Sequence, residues 1–579
     1  LKILAMGQTS SVQQTTKFLS YAACLASTFW HLDSATAQSF EPLTPEPIKP
    51  QQSPPLPPAI NPFKTIPTPP VPESVLDIPG TIAVEQFEFV GNTVFSPAEL
   101  NQAIANFTKG PISFAQLVQA ANQITELYVS RGYITTGAYI PEQSLASGKV
   151  KIQIVEGSLA AIEVNVTGRL KKSYVRDRIA QRTTTPLNIN QLQSALQLLQ
   201  LNPLIDSLNA ELSAGITPGT NILTVSVNSA DTFSLQAKLN NNRNLSIGTF
   251  ERGIQLEEAN LLGIGDRFRL TYDNTEGSNQ FGGGYTLPLN TRDGSLGFNF
   301  RWGHNEIVQS SFEDLDIDIE SRNYDLTWRQ PLLQTATPQV SQELAVSITA
   351  ARRVSDSTIM NDAEPLSPGA NEEGEIRTSV VSFGQEWLQR NRSQVISARS
   401  QFNLGVDVLG ATILPEEPDS QFFSWRGQFS YLRSLSQPDQ EFGATMLLRS
   451  ELQLAADPLI STEQFSLGGA TTVRGYRQDA LLTDSGFLAS AEFRLPIFYF
   501  EPLDATLQFA PFIDFGTGWN HDDEETEFNT LIGTGFGLLL QTPENFSARV
   551  DWGIPLVNDE GGSSIQENGV YLQLQYNFF

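Results

Sequence analysis

From residue 230 to Phe579 the sequence repeats one rhythm, in which apolar and polar side chains alternate in runs of roughly ten residues. In the final run Leu572, Leu574, Tyr576 and Phe578 fall on one face of an extended chain, and Gln573, Gln575 and Asn577 fall on the other. Successive side chains of a strand point to opposite sides, so each run is a ribbon with one greasy and one wet face. The same pattern carries Leu296, Phe298, Phe300 and Trp302, then Phe402, Leu404, Val406 and Val408, then Phe423, Trp425, Phe429 and Tyr431. About sixteen such runs, aromatic on the greasy side, predict a closed transmembrane β-barrel with lipid outside and water inside. No stretch reaches the roughly 18 apolar residues of a membrane-crossing helix. Open sheet edges cannot be hydrogen-bonded in lipid, so the strands have to close on themselves.

The connections add a second regularity. Gly263–Asp266, Asn290–Gly294, Asn391–Ser393 and Thr542–Asn545 read as tight turns, while 307–320, 353–375, 410–420, 457–485, 520–529 and 557–568 read as long loops. The long loops fall before even-numbered strands, as expected when short turns line one rim and long loops the other.

Two smaller modules precede the barrel. In 81–157, Ser96-Pro97-Ala98-Glu99 and Ser113-Phe114-Ala115-Gln116 are capping boxes that open two helices. Leu117, Ala121, Ile124 and Tyr128 stripe the second, which Gly132 ends. Strands are predicted from Ile82 to Phe89, over Ile134–Ile140 and over Lys149–Val155, giving the order β-α-α-β-β. Residues 158–229 repeat that order more loosely, with Leu192, Ala195, Leu196 and Leu199 on one helical stripe. Upstream, 38–80 is a proline-rich linker: 14 of the chain's 34 prolines lie between Pro42 and Pro79, a composition that favours extended polyproline II. Residues 1–37 read as a secretory signal, with Lys2 and Lys17, an apolar Phe18–Trp30 and a small-x-small site at Ala35-Thr36-Ala37.

The net charge of −27 argues against nucleic acid as a partner. One cysteine, Cys24, rules out an intrachain disulfide framework. Three histidines without paired metal-ligand spacing point to no metal and no cofactor, and no nucleophile–base pair suggests an enzyme.

One loop stands apart. Residues 457–485 hold Phe465-Ser466-Leu467-Gly468-Gly469 and then Val473-Arg474-Gly475-Tyr476. Glycine pairs flanking an arginine suit a chain folded back into a narrow lumen, where tight or left-handed backbone is needed. Strand parity turns Asp514, Glu492 and Arg494 inward, so two carboxylates line the wall near one loop arginine.

With Val473–Tyr476 on the loop and Phe512-Ile513-Asp514-Phe515-Gly516 on a strand, residues 80–579 resemble the outer-membrane transporters of two-partner secretion, the haemolysin-activator and filamentous-haemagglutinin transporter family of the POTRA-plus-barrel superfamily. The resemblance implies a membrane all-β fold, a sixteen-stranded barrel preceded by two periplasmic POTRA domains at 81–157 and 158–229. It implies that the loop enters the lumen, where Arg474 pairs with Asp514. It also implies that an unfolded, secreted β-helical exoprotein is the partner, taken up by the POTRA domains and threaded through a pore in outer-membrane lipid. With no phosphate-binding loop in the sequence, folding of the partner outside would supply the drive. An assembly factor that inserts other barrels is the alternative, set against by only two periplasmic modules; a passive solute porin would leave modules and loop unexplained. Two departures stand out. Some family members carry an N-terminal plug helix, which the proline tract cannot form. Phe578 rather than Phe579 is in phase with the lipid face.

Overall fold

The computed structural model describes residues 81–579, apart from 109, 146–147, 417, 437–442, 522–528, 544, 558–561 and 563. The signal segment and the proline-rich linker, and with them the question of a plug, lie outside the described residues.

In the first unit Ser96 and Ser113 cap helices Pro97–Ala103 and Phe114–Ser130, with both halves of each capping box formed. The longer helix buries Leu117, Ala121, Ile124 and Tyr128 against a three-stranded sheet. Its strand order is Gln86–Val90, Lys149–Val155, Gly137–Tyr139, which leaves Gly137–Tyr139 at an edge. Two expectations are corrected. The strand read from Ile82 to Phe89 is broken in two: Thr81–Ala83 pairs with Pro111–Ser113, while the Glu85 and Gln86 N–H groups both donate to Gly148 O and steer Gln86–Val90 into the main sheet. The strand read over Ile134–Ile140 shrinks to Gly137–Tyr139, because the amides of Gly132 and Tyr133 turn back onto the last carbonyls of the helix.

Glu156 ties this unit together. Its carboxylate accepts from the Thr93 amide at 2.7 Å, the Val94 amide at 3.1 Å and the Tyr128 hydroxyl at 2.7 Å. Burial raises its pKa, but the hydrogen bonds from Thr93, Tyr128 and Val94 outweigh burial and hold it below the ordinary carboxylate range. Burial and the same carboxylate push the Tyr128 phenol up.

The second unit runs Ser158–Thr167, helices Lys172–Arg182 and Ile189–Gln200, then Ile205–Ala214 and Thr220–Ser229. Leu192, Ala195, Leu196 and Leu199 all face its core. The units join where the Ile189 N–H donates to Gly132 O and the Asn188 side chain donates to Arg131 O. The second unit in turn rests on the barrel's short turns: Arg178 Nε and Nη2 both reach Asp293 Oδ1, at 3.0 and 2.9 Å, and Arg169 Nη1 reaches Glu258 Oε2 at 2.7 Å.

Sixteen long antiparallel strands, from Phe233–Asn240 to Val570–Asn577, form the barrel. The last pairs with the first from Asn240↔Gln573 to Gln236↔Asn577, so no edge is left open. A two-residue strand, Asp362–Ala363, folds back on Val340–Ile359. Phe298, Trp302, Leu326, Ile348, Ile513 and Trp552 are exposed on the outer wall. Within the apolar belt many charges face inward and pair across one or two strands, as in Arg329 with Glu343 and Glu386, and Arg426 with Glu451. Among the described residues no helix is long and apolar enough to cross a membrane.

The loop boundaries move in places. Strands Ile317–Ala336 and Val340–Ile359 run well into the segments read as loops 307–320 and 353–375. Pairing persists out to Ile317↔Ile359, but there the sorting is reversed: Ile317, Ile319 and Ile359 pack into a buried cluster while Asp318, Glu320, Asp356 and Thr358 take the other face, so the greasy outer face that marks a barrel strand is lost. The connection 435–444 is long for its rim, and 275–277 is short for the opposite one.

Candidate functional site

The connection between strands Thr445–Ala455 and Ser485–Phe500 folds into the barrel. Phe465–Leu467 and Leu481–Thr483 pair as a small hairpin, and the segment between them forms its tip. Phe465, Leu467, Val473, Tyr476, Ala480 and Leu481 bury one another against Leu488 and Leu531 of the wall. At the tip Gly475 holds φ +108, a conformation side-chain-bearing residues rarely adopt.

Arg474 sits at the end of this tip, 1% exposed. Its Nε donates to Asp514 Oδ2 at 2.7 Å and its Nη2 to Asp514 Oδ1 at 2.9 Å, a bidentate fork. Its own backbone N–H also reaches Asp514 Oδ2, at 3.1 Å. Nη1 donates to Glu492 Oε2 at 2.7 Å. The guanidinium carbon lies 3.4 Å from the centre of the Phe512 ring, so the cation is fixed by a fork at its edge and a ring at its face.

A ring of further groups holds those partners. Asp514 Oδ1 accepts from Ser490 Oγ at 2.7 Å. Glu492 accepts from Arg494 Nε at 2.7 Å and from Arg549 Nη2 at 2.7 Å. Arg549 also pairs with Asp551. Asp514, Glu492 and Asp551 are buried with Arg474, and every charge among them has an opposite charge as neighbour. These groups neutralise one another, which suits a clamp on a loop.

The structure thus brings Arg474, Asp514 and Glu492 together, and places Val473 in the apolar cluster and Tyr476 against the wall. Tyr476 Oη donates to Val557 O, and the Ile532 N–H donates to Tyr476 Oη. Other positions the sequence reading missed hold the tip just as closely. Tyr571 Oη accepts from the Gly475 N–H at 2.9 Å and donates to Tyr476 O at 2.5 Å. Gly533 and Gly553 let the loop touch the wall: a Cβ on Gly533 would stand 1.8 Å from Arg474 O, and one on Gly553 would stand 2.4 Å from the Gly475 nitrogen. Their signal was in the sequence, since counting by twos puts Gly533, Gly553 and Tyr571 on inward faces.

Comparison with known proteins gives a consistent picture. The family model described as "Haemolysin secretion/activation protein ShlB/FhaC/HecB" matches residues 219–540, more than half of the chain, and the model "POTRA domain, ShlB-type" matches 82–157. The outer membrane transporter CdiB of Dickeya dadantii (strain 3937) is 21% identical over 467 residues, spanning 79% of this chain and 80% of the relative. The heme/hemopexin transporter protein HuxB of Haemophilus influenzae (strain 86-028NP) is 22% identical over 489 residues, spanning 80% and 81%. Among solved structures, CdiB from Escherichia coli superposes with a TM-score of 0.66 at 20% identity, covering 100% of both chains. CdiB from Acinetobacter baumannii gives 0.61 at 16% identity, covering 91% of this chain and 95% of its own. At those identities the superpositions establish a shared fold.

Proposed function

Because this chain belongs to the ShlB/FhaC/HecB family, the outer-membrane transporters of two-partner secretion, we propose that it captures one unfolded exoprotein in the periplasm and passes it through its own barrel to the cell surface. Residues 158–229 serve as a second POTRA domain beside the first. The exoprotein adds as an extended strand to the open edge Gly137–Tyr139, next to the exposed side chains of Val129, Ile134 and Tyr139. It then follows a lumen wall of paired charges once the hairpin bearing Arg474 gives way.

The observation that carries this reading is the hairpin itself, a loop brought into a polar lumen and fixed at one buried arginine. A wall-lining structural element has no need of an ionic fastening that water can undo. The capture step is tested with a photo-crosslinking residue at position 139 in the full chain, during export of the cognate exoprotein. Adducts at 139, and none from a probe at the fully exposed Ile216 of the other unit, are expected. Equal labelling at both positions would remove the edge from the mechanism.

A further inference from the structure

Where the outer wall rises out of its apolar belt, three neighbouring strands carry arginines that face away from the lumen. Arg322 and Arg377 flank Val354 in one cross-strand row, and Arg352 lies one step lower on the middle strand, between Tyr324 and Ser379. Cross-strand neighbours stand about 5 Å apart, so the three guanidinium groups share one patch. Directly beneath them run exposed apolar columns: Leu326 under Arg322, Ile348 under Arg352, Val381 and Phe383 under Arg377. From Val340 at the short-turn rim to Arg352 the rise is about 30 Å, at ~3.4 Å per residue and ~40° of tilt, which is the top of a belt about 25 Å tall. Near the outer ends of other strands Phe423, Leu454, Trp519 and Ile554 are exposed instead.

The partners of these arginines are ordered by height. Glu320, Asp356 and Glu375 form the next row outward, farther from the belt. Asp356 pairs with Arg322 and Glu375 with Arg377. Both arginines remain accessible, with 41% and 43% of their side chains exposed. Among the described residues Arg352 pairs with no carboxylate: its Nη1 donates to Ser379 Oγ at 3.0 Å and its Nη2 to Gly410 O at 3.4 Å. The acids thus hold two of the cations in place from above and leave the side toward the bilayer positive.

We propose that Arg322, Arg352 and Arg377 form a binding site for the phosphate groups of an anionic outer-leaflet lipid, seated where three outward-facing guanidinium groups meet the top of the apolar belt. Phosphates of a bilayer lie at the boundary between hydrocarbon and water, which is the level of this patch, and guanidinium forks suit them. Acyl chains beneath such a headgroup lie along the Leu326, Ile348 and Phe383 columns. A secreted protein would not meet this surface, because the lower half of the patch faces the hydrocarbon edge.

The test uses the full chain in neutral detergent and native mass spectrometry, titrated with a bisphosphorylated glucosamine lipid. R322Q/R352Q/R377Q is expected to bind at least tenfold more weakly than wild type. R252Q, which removes an exposed arginine from a different strand, is expected to change affinity less than twofold. The same lipid stripped of its phosphates should bind wild type as weakly as the triple variant does, and millimolar inorganic phosphate should not displace the intact lipid. If the triple variant folds poorly, R352Q alone breaks no ion pair and is expected to weaken binding about threefold. Unchanged binding by the arginine variants, or equal binding of the phosphate-free lipid, overturns the proposal. So does a triple variant that binds lipid normally but loses its hold on the exoprotein at the cell surface, which would make the patch a protein site.

Discussion

Replacing Arg474 with alanine is the sharpest perturbation of the lumen hairpin. The side chain supplies two hydrogen bonds to Asp514 and one to Glu492. Glu492 would keep Arg494 and Arg549. Asp514, which is 0% exposed, would keep only Ser490 Oγ and one backbone N–H. The change therefore leaves one poorly compensated buried carboxylate, a cost of about 3–5 kcal/mol. At ~1.4 kcal/mol per decade, the ratio of seated to released hairpin falls by roughly 10²- to 10³-fold or more. Planar-bilayer recordings of the full chain should show longer and larger openings, and export of the exoprotein should fall sharply. The amount of heat-resistant barrel in the outer membrane should stay near wild type, because no strand-to-strand hydrogen bond is touched. R474A/D514N removes the stranded charge together with its partner, so it should recover part of the seating and give a coupling of about 1–3 kcal/mol in a double-mutant cycle. R474K keeps the charge but not the fork, and should fall between wild type and alanine. Conductance and export both at wild-type levels in R474A would refute the argument that this contact seats the loop.

Three further substitutions test other contacts. Tyr571→Phe leaves the buried Gly475 N–H without its acceptor and Tyr476 O with the Gly469 N–H as its remaining donor, costing about 1–3 kcal/mol of hairpin seating; bilayer recordings should show more frequent brief openings, and a silent trace would count against the contact. Gly132→Ala meets both a φ of +93° and a Cβ position 2.8 Å from Asn190 Nδ2, so the spread of spin-label distances between the two periplasmic units should broaden, and an unchanged distribution would contradict their coupling there. Glu156 titrates below its ordinary value of 4.5 in the folded unit, so its stabilisation is complete above that value and is lost as pH falls through the lower folded one; proteolysis of residues 82–157 should rise below about pH 4.5, and Glu156→Gln should flatten that rise while weakening the unit at neutral pH.

The sequence speaks clearly where a single period governs the chain. Leu572, Leu574 and Tyr576 alternate with glutamine and asparagine because one face meets lipid and the other water, and the two solvents sort the residues. Above the membrane that sorting reverses. Asp318, Glu320, Thr358 and Asp356 face outward there while Ile317, Ile319 and Ile359 turn into a buried cluster, the reverse of the barrel's greasy outer face, so Ile317–Ala336 and Val340–Ile359 outrun their readable ends. At the site, parity alone turned Asp514 and Glu492 inward, and the paired motifs tied Arg474 to Asp514. What parity does not announce is emptiness. Gly533 and Gly553 act by lacking a Cβ, and an inward glycine reads as an unremarkable strand position until the loop that needs the space is seen against it.

The hairpin is held by two kinds of contact that respond differently to water. The apolar cluster of Phe465, Leu467, Val473 and Leu481 loses by being wetted. The arginine–carboxylate network does not: a buried ion pair contributes little net stability over apolar packing of the same volume, because its desolvation penalty is returned when water re-enters. A loop meant only to block would be better fastened by more of the first kind. The ring of Arg474, Asp514, Glu492, Arg549 and Asp551 instead fixes one position strongly while the lumen is dry and gives way at low cost once a polar chain brings water with it. On that argument the ionic ring specifies where the hairpin returns, and the apolar cluster sets how much work release requires. Substituting Arg474 and Asp514 together by a well-packed methionine and leucine should therefore preserve or raise hairpin seating while slowing export. Faster export from that variant would break the link between wetting and release.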